Sequence, residues 1–206
     1  MIFDVGANVG KWTLAIKKNS IFSNYYLFEP NPKTYKRLRK YYKKHSSIQT
    51  FNIAFSNIEK ETIPFYTHGR KFCRLDGLYD REILRSQLNK KPKKIMVKST
   101  TVDSFCIKNS INHIDILKID TEGEEYNVIL GAKNIIDKGE VDLIQFEYGG
   151  CFQDSNTKLK WIYNLLTEKN YEIYKIPTSG GKIHITNWSE NLEDYEWVNY
   201  IAIRKK

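Results

Sequence analysis

Short apolar segments alternate with amphipathic ones along the first quarter of the chain. The apolar segments predict strands over residues 2–5, 25–29 and 48–55. The segments between them carry apolar residues at helical spacing and predict helices over 11–20 and 32–45. This order, strand then helix then strand, is typical of α/β proteins.

The alternation weakens over residues 56–98, where the pattern predicts a hairpin around 61–69 and a helix near 78–90. The alternation of strands and helices then resumes. Thr100 and Asp103 have the spacing of a capping box at the start of the helix predicted over 100–110. The predicted elements are, in chain order, a helix over 100–110, a strand over 114–120, a helix over 124–137, a strand over 141–147, a helix over 158–170 and strands over 171–176 and 197–205.

Apolar strands that alternate with helices predict a mostly parallel sheet covered on both faces. We expect one domain over 1–206, with 56–98 and 148–196 as substrate-side insertions or a lid. Ligands bind beyond the carboxyl ends of such strands, so the residues there are the candidate site. Four of five predicted strand ends carry a carboxylate, which a phosphate ligand would not favour; the five ends are 4–10, 29–31, 52–56, 120–123 and 147–150.

The 206-residue length is ordinary for a single domain, and 41% of the residues are hydrophobic. No apolar run approaches the ~20 residues of a membrane span, and no signal peptide is evident, so we expect a cytoplasmic protein. The three cysteines are odd in number and lack metal-ligand spacing, so they are expected to be free thiols. They are Cys73, Cys106 and Cys151.

The net charge is +9, and the cations cluster. Residues 33–44 hold seven Lys or Arg and no acid, and residues 85–98 hold six more. Such clusters bind nucleic acid, anionic lipid or acidic substrates, and they also form ordinary solvated helix faces. The second interpretation is the simpler one.

The turn after the first strand reads D-V-G-A-N-V-G over residues 4–10. A dinucleotide fingerprint would need glycines where Asn8 and Lys11 stand, and no G-K-[ST] of a phosphate-binding loop follows. Gly6 and Gly10 allow close backbone approach, and Asn8 tolerates positive φ. Asp4 would repel a pyrophosphate and attract a cation, such as the sulfonium and ammonium groups of S-adenosylmethionine (SAM).

The ends of the next two predicted strands also favour a nucleoside ligand. Glu29 ends the second strand, where an acid accepts hydrogen bonds from the two ribose hydroxyls of a bound nucleoside. After the third strand, Asn52 and the small Ala54 stand where an adenine would lie. The pattern therefore predicts a nucleoside cofactor held by these strand ends.

The segments DVGANVG, FEPNP, NIAFS and LKIDTEGEEYNVILGA resemble, in this order, the FkbM family of SAM-dependent methyltransferases over roughly residues 2–147. The resemblance implies a Rossmann-like class I methyltransferase fold, with a seven-stranded, mostly parallel sheet and an antiparallel last strand. It implies methylation of a hydroxyl oxygen on a small molecule, sugar or glycan. It carries Asp4, Gly6, Asn8 and Gly10 to the cofactor loop, where Ala7 is also expected to bind the cofactor, and Glu29 to the ribose. It carries Asp120, Glu122 and Gly123 to the mouth of the fourth strand.

Methylation of a hydroxyl needs a general base close to the acceptor oxygen. Asp120 and Glu122 are the candidates, with Lys118 on the same face of the strand as Asp120. Two alternatives to a base role stay open for these carboxylates. One is that a carboxylate at this strand end binds a divalent metal, although we assign no specific metal ligand; the other is that Glu122 caps the helix that follows. Glu147 ends the fifth strand and is a candidate for substrate or metal binding, or for a supporting role.

Two other functions compete. A nucleic-acid methyltransferase fits the net charge, but DTEG stands where base N-methyltransferases carry an N-P-P-Y-like stretch, so RNA ribose 2′-O-methylation is the alternative that stays open. The other is a non-catalytic binding module of the same fold. Asp4, Glu29 and Asp120 argue against such a loss of function.

Overall fold

The structure of the protein is a computed structural model that describes residues 1–18, 22, 24–69 and 74–205. Cys73 lies outside these residues, as do the last two positions of the helix predicted over 11–20. Cys106 and Cys151 are buried free thiols, as predicted. None of the described helices has the length and apolarity that crossing a bilayer requires.

Within the described ranges, eight strands form the main sheet. They are β1 Ile2–Val5, β2 Tyr25–Phe28, β3 Ile48–Phe51, β7 Ile114–Ile119, β8 Val141–Tyr148, β9 Tyr171–Ile176, β10 Ile183–Ile185 and β11 Val198–Arg204. Their spatial order is β10-β9-β11-β8-β7-β1-β2-β3. From β8 to β3 all neighbours are parallel, and β11 is antiparallel to both β8 and β9.

This topology confirms the predicted class I methyltransferase architecture with its inserted antiparallel strand. The sheet exceeds the expected seven strands because β10 pairs with the edge of β9. The chain order runs outward from β1 in one direction and from β7 in the other, so the switch point lies between β1 and β7. Ligands of open parallel sheets bind at this point.

Helices cover both faces of the sheet because its strands are apolar on both sides. The helices are α1 Lys11–Lys17, α2 Pro32–Tyr42, α3 Glu82–Leu88, α4 Val102–Lys108, α5 Glu125–Leu130, α6 Lys133–Asp137, α7 Cys151–Asp154 and α8 Leu159–Glu168. Phe3 and Phe28 pack on one face against Phe105 of α4, with ring centroids 5.7 and 4.9 Å from it. Ile2 and Leu27 point to the other face and pack with α2.

A second sheet stands beside the carboxyl ends of the main strands. It contains β4 Ala54–Phe55, β5 Lys60–Thr67 and β6 Lys93–Thr100, in the order β4-β6-β5. The prediction of a single strand over 48–55 is therefore wrong. The chain leaves the main sheet after Phe51, and β4 pairs with β6 of the second sheet. The helix predicted near 78–90 corresponds to α3. The hairpin predicted around 61–69 is wrong, because this segment is the single strand β5 and its antiparallel partner is the distant β6.

Two helix predictions need correction. The helix predicted over 124–137 is two helices. The Gly131 carbonyl and the Ile135 N–H, which would bond to each other in a continuous helix, bond instead to the backbone N–H and the carboxylate of Asp103 at 2.9 and 3.0 Å. The cap of α4 is Thr101, whose side chain accepts from the Ser104 N–H, and not Thr100. Asp103 instead accepts from backbone N–H groups at the start of α6.

Candidate active site

A cavity of about 680 Å³ opens at the carboxyl ends of β1, β2 and β7. Eight of the predicted site residues line it: Gly6, Ala7, Asn8, Glu29, Ala54, Lys118, Asp120 and Glu122. The described residues that line the cavity do not include the other three predicted ones, Asp4, Gly10 and Asn52. The volume falls in the range of small-molecule sites, roughly 300–1,000 Å³.

The glycine turn after β1 brings backbone close to the end of β7. Gly6 has φ +76°, and a Cβ on it would lie 1.8 Å from the carbonyl oxygen of Asp120. Gly10 has φ +80° and begins α1, and its carbonyl accepts from the Tyr42 hydroxyl at 2.6 Å. Asn8 also has positive φ, at 50°. The turn therefore needs small or φ-tolerant residues at the predicted positions.

Asp4 lies beneath this turn and is fully buried. Its carboxylate accepts from the Thr13 hydroxyl at 2.6 Å and pairs with the Lys118 ammonium at 3.0 Å. Lys118 also reaches Asp120, at 3.2 Å. Burial opposes the charge of Lys118, but Asp120 and Asp4 together outweigh it and raise its pKa. Asp4 thus positions Lys118 and, through it, Asp120. The prediction that the Asp4 carboxylate faces a cationic ligand is wrong, because Lys118 occupies that position.

Glu29 ends β2 inside the cavity and is 5% exposed. Its Oε1 accepts from the Asn31 N–H at 2.7 Å. Burial raises the pKa of Glu29 to about 8, against the opposing effect of backbone hydrogen bonds. Asn52, expected beside the ligand, instead donates to the carbonyls of Glu29 and Pro30 at 2.8 and 2.9 Å, which fixes the end of β2.

Three carboxylates meet where β7 and β8 end. Asp120, Glu122 and Glu147 each place an oxygen within 4.8 Å of the others. Burial raises the pKa of Glu122 to about 8 and that of Glu147 to about 7, and the negative charge of Asp120 adds to both shifts. Such a spacing suits a shared proton or a divalent cation.

Arg81, which precedes α3, pairs with one member of this cluster. Its guanidinium contacts Glu122 at 2.5 Å and Asp154 of α7 at 3.0 Å. Glu122 has φ +58° and does not cap α5, so that prediction is wrong. The hydrogen bonds at the start of α5 go to Glu125, which accepts from the N–H groups of Thr121 and Gly123 at 2.7 and 2.9 Å.

Residues of the second sheet and its loops close the cavity above the glycine turn that follows β1. They include Phe65, Arg74, Asp76 and Leu78. Asp76 accepts from the Asn31 side chain at 2.8 Å, so this wall is tied to the end of β2. Sequence reasoning missed these residues and Arg81, because they stand in no motif and reach the site only through tertiary packing.

Comparison with known proteins gives the following matches. The family model of the Methyltransferase FkbM domain matches residues 4–173. The structure of Methyltransferase FkbM from Methylobacillus flagellatus KT superposes with a TM-score of 0.54 at 16% identity, over 97% of this chain and 42% of that one. SMU.1697c from Streptococcus mutans, in complex with S-adenosylhomocysteine, superposes with a TM-score of 0.50 at 8% identity, over 99% and 88%. None of the curated proteins compared with the chain matches it.

Proposed function

The chain belongs to the FkbM methyltransferase family, and from this premise we propose that it binds SAM at the carboxyl ends of β1, β2 and β7 and methylates a hydroxyl oxygen of a small molecule or glycan. One observation carries the proposal. The buried Glu29, the glycine turn around Gly6 and the carboxylate of Asp120 all line a single cavity.

The residues of the cavity fit the cofactor at both ends. Glu29 follows β2 and Asp120 follows β7, so two strand spacings, or about 10 Å, separate them along the sheet. Each oxygen of Glu29 has lone pairs beyond the one that Asn31 uses, so the side chain can accept from ribose hydroxyls. Gly6 lines the cavity, so the turn presents backbone and no side chain to the amino-acid part of the ligand.

SAM, when bound, supplies an activated methyl group on a sulfonium. This chain's contribution is to orient the acceptor hydroxyl and to remove its proton. Asp120 lines the cavity and its side chain is 37% exposed, so it can reach an acceptor. Lys118 contacts Oδ2 of Asp120, and we assign the proton to Oδ1. Burial raises the pKa of Glu122 to about 8, which suits it to share that proton near neutral pH.

The test is a methyl-transfer assay with SAM and a panel of hydroxylated monosaccharides, glycans and single-stranded RNA. Formation of S-adenosylhomocysteine reports turnover, and mass spectrometry of the product locates the methyl group. We expect a methyl ether on a sugar or small molecule, lost in Asp120→Asn and retained in the exposed control Glu59→Gln. A methyl group on nitrogen or carbon would contradict the proposed reaction.

RNA ribose 2′-O-methylation is the second candidate, and the net charge of +9 is the observation that favours it. It would place the methyl group on the ribose of the RNA in the same panel. A protein that binds SAM but turns over no member of the panel would favour the non-catalytic binding module.

A further inference from the structure

The two basic segments of the sequence converge on a second cavity, of about 510 Å³. The start of α2 contributes Lys33 and Arg37, and the chain entering β6 contributes Lys90, Lys91 and Lys93. No aspartate or glutamate lines this cavity within the described part of the chain. More than 50 residues separate the two segments in the sequence, so the fold itself assembles this cluster of positive charge.

The five cations form no ion pair within the part of the chain that the structure describes. None of them lies within 4.0 Å of a carboxylate among the described residues, whereas nearby Lys98 pairs with Glu61 at 2.9 Å. Like charges gathered around one concave surface repel each other, and an anion placed among them removes that repulsion. The arrangement is therefore prepared for a negatively charged ligand.

A buried histidine supplies a second, independent observation. The side chain of His68 is 2% exposed and lines the same cavity. Neither ring nitrogen forms a hydrogen bond within the described residues, and Nδ1 lies 3.5 Å from Oδ1 of Asp76, which already accepts from the His68 N–H at 2.7 Å. A buried polar group without a hydrogen bond is costly, so the ring is suited to donate to a ligand in the cavity.

The second cavity adjoins the candidate active site. Arg37 lines both cavities, and the Asn31–Asp76 hydrogen bond lies between them. A ligand that extends from one cavity could therefore place a charged group in the other.

We propose that the second cavity binds a phosphoryl group, so that the methyl acceptor is a phosphorylated small molecule; this rests on the proposed function. Lys33, Arg37 and the three lysines of the β6 entry surround the group, and His68 donates to it from the cavity wall. The concave shape and the buried histidine favour a discrete phosphoryl group over a nucleic-acid backbone, which follows an open track of cations.

The experiment is calorimetric titration of the full chain with inorganic pyrophosphate, without SAM. The variant Lys90→Gln/Lys91→Gln/Lys93→Gln removes three cavity cations. The matched control, Lys40→Gln/Lys43→Gln/Lys44→Gln, removes three exposed lysines outside the cavity and changes the net charge equally. We expect saturable binding that weakens by about tenfold or more in the cavity variant, since each lost charged hydrogen bond is worth about that factor, and by less than about twofold in the control.

Two results would overturn the proposal. One is absence of saturable pyrophosphate binding by the unaltered protein. The other is an equal loss in both triple variants, because binding would then follow net charge alone; stronger binding of single-stranded RNA with the same equal sensitivity would identify a nucleic-acid surface. SAM titration of the same samples reports the cofactor site separately, so failure of this inference and failure of the proposed function are distinguishable.

Discussion

Replacing Glu29 by Gln tests the cofactor assignment at the residue on which it depends most. Glutamine has nearly the same shape, and its amide oxygen can still accept the Asn31 N–H that Glu29 accepts at 2.7 Å. The substitution therefore removes the negative charge and one acceptor while it leaves the end of β2 supported. We expect weaker binding of SAM and S-adenosylhomocysteine with no loss of folding.

The magnitude follows from the hydrogen bonds and from the raised pKa. A hydrogen bond to a charged group contributes about 1.5–3 kcal/mol, which corresponds to about 10- to 150-fold in affinity. A pKa of about 8 leaves roughly one Glu29 in ten ionised at pH 7, so ligand binding at that pH must also remove a proton. We therefore expect the affinity of the unaltered protein to rise about tenfold between pH 7 and pH 9.

The assay is calorimetric titration with S-adenosylhomocysteine at several pH values for both proteins. Titration of the ligand's own groups affects both proteins alike, so the difference between the two curves reports Glu29. We expect the Gln variant to bind about tenfold or more weakly at pH 9 and to lack the rise. Equal affinities, or parallel pH curves, would refute the role of Glu29 as the ribose acceptor.

Stability measurements separate a lost contact from a folding defect. The folded pKa of Glu29 lies above its ordinary value of 4.5, so the unfolded chain releases this proton first as pH rises. The contribution of Glu29 to the free energy of unfolding is thus complete below about pH 4.5 and is lost as pH rises towards 8. At pH 8 we expect the Gln variant to be at least as stable as the unaltered protein.

Three further predictions follow from the site. Gly6→Ala should lower the free energy of unfolding, measured in urea, by more than about 3 kcal/mol, because its Cβ would meet the Asp120 carbonyl. The control Gly180→Ala is also at positive φ but has open space around it, so it should cost only about 1–2 kcal/mol. Equal costs would contradict the close approach of Gly6 to Asp120. Asp120→Asn should lower turnover by about 10²- to 10⁴-fold and SAM affinity far less, and unchanged turnover would remove Asp120 from the base role. Because burial raises the pKa of Glu122 to about 8, stability should fall from about pH 4.5 to pH 8, and thermal unfolding of Glu122→Gln should show a smaller fall; an identical fall would show that Glu122 does not titrate in this range.

The strand ends were predictable because the parallel sheet depends on local apolar runs. The positions of Gly6 and Glu29 follow from the same pattern, since the residues after β1 and β2 must meet at the switch point. The conformation of the turn was predictable too, because glycine and asparagine are the residues that adopt positive φ angles at the lowest cost.

The long-range contacts were not predictable from local pattern. Lys118 neutralises Asp4, and Arg81 braces Glu122 across 41 positions of sequence. The cap on α4 is Thr101 where Thr100 was predicted, and Glu125 accepts the N–H groups before α5 where Glu122 was the predicted cap. No local signal shows that residues 33–37 and 90–93 share a cavity.

Calorimetric titration of the purified protein with SAM and with S-adenosylhomocysteine tests the central claim most directly. We expect saturable binding of one equivalent of each, weakened about tenfold or more at pH 9 in Glu29→Gln and retained in the Lys40→Gln/Lys43→Gln/Lys44→Gln control. Absence of binding to a protein that circular dichroism shows to be folded would contradict a cofactor site in the cavity at the ends of β1, β2 and β7.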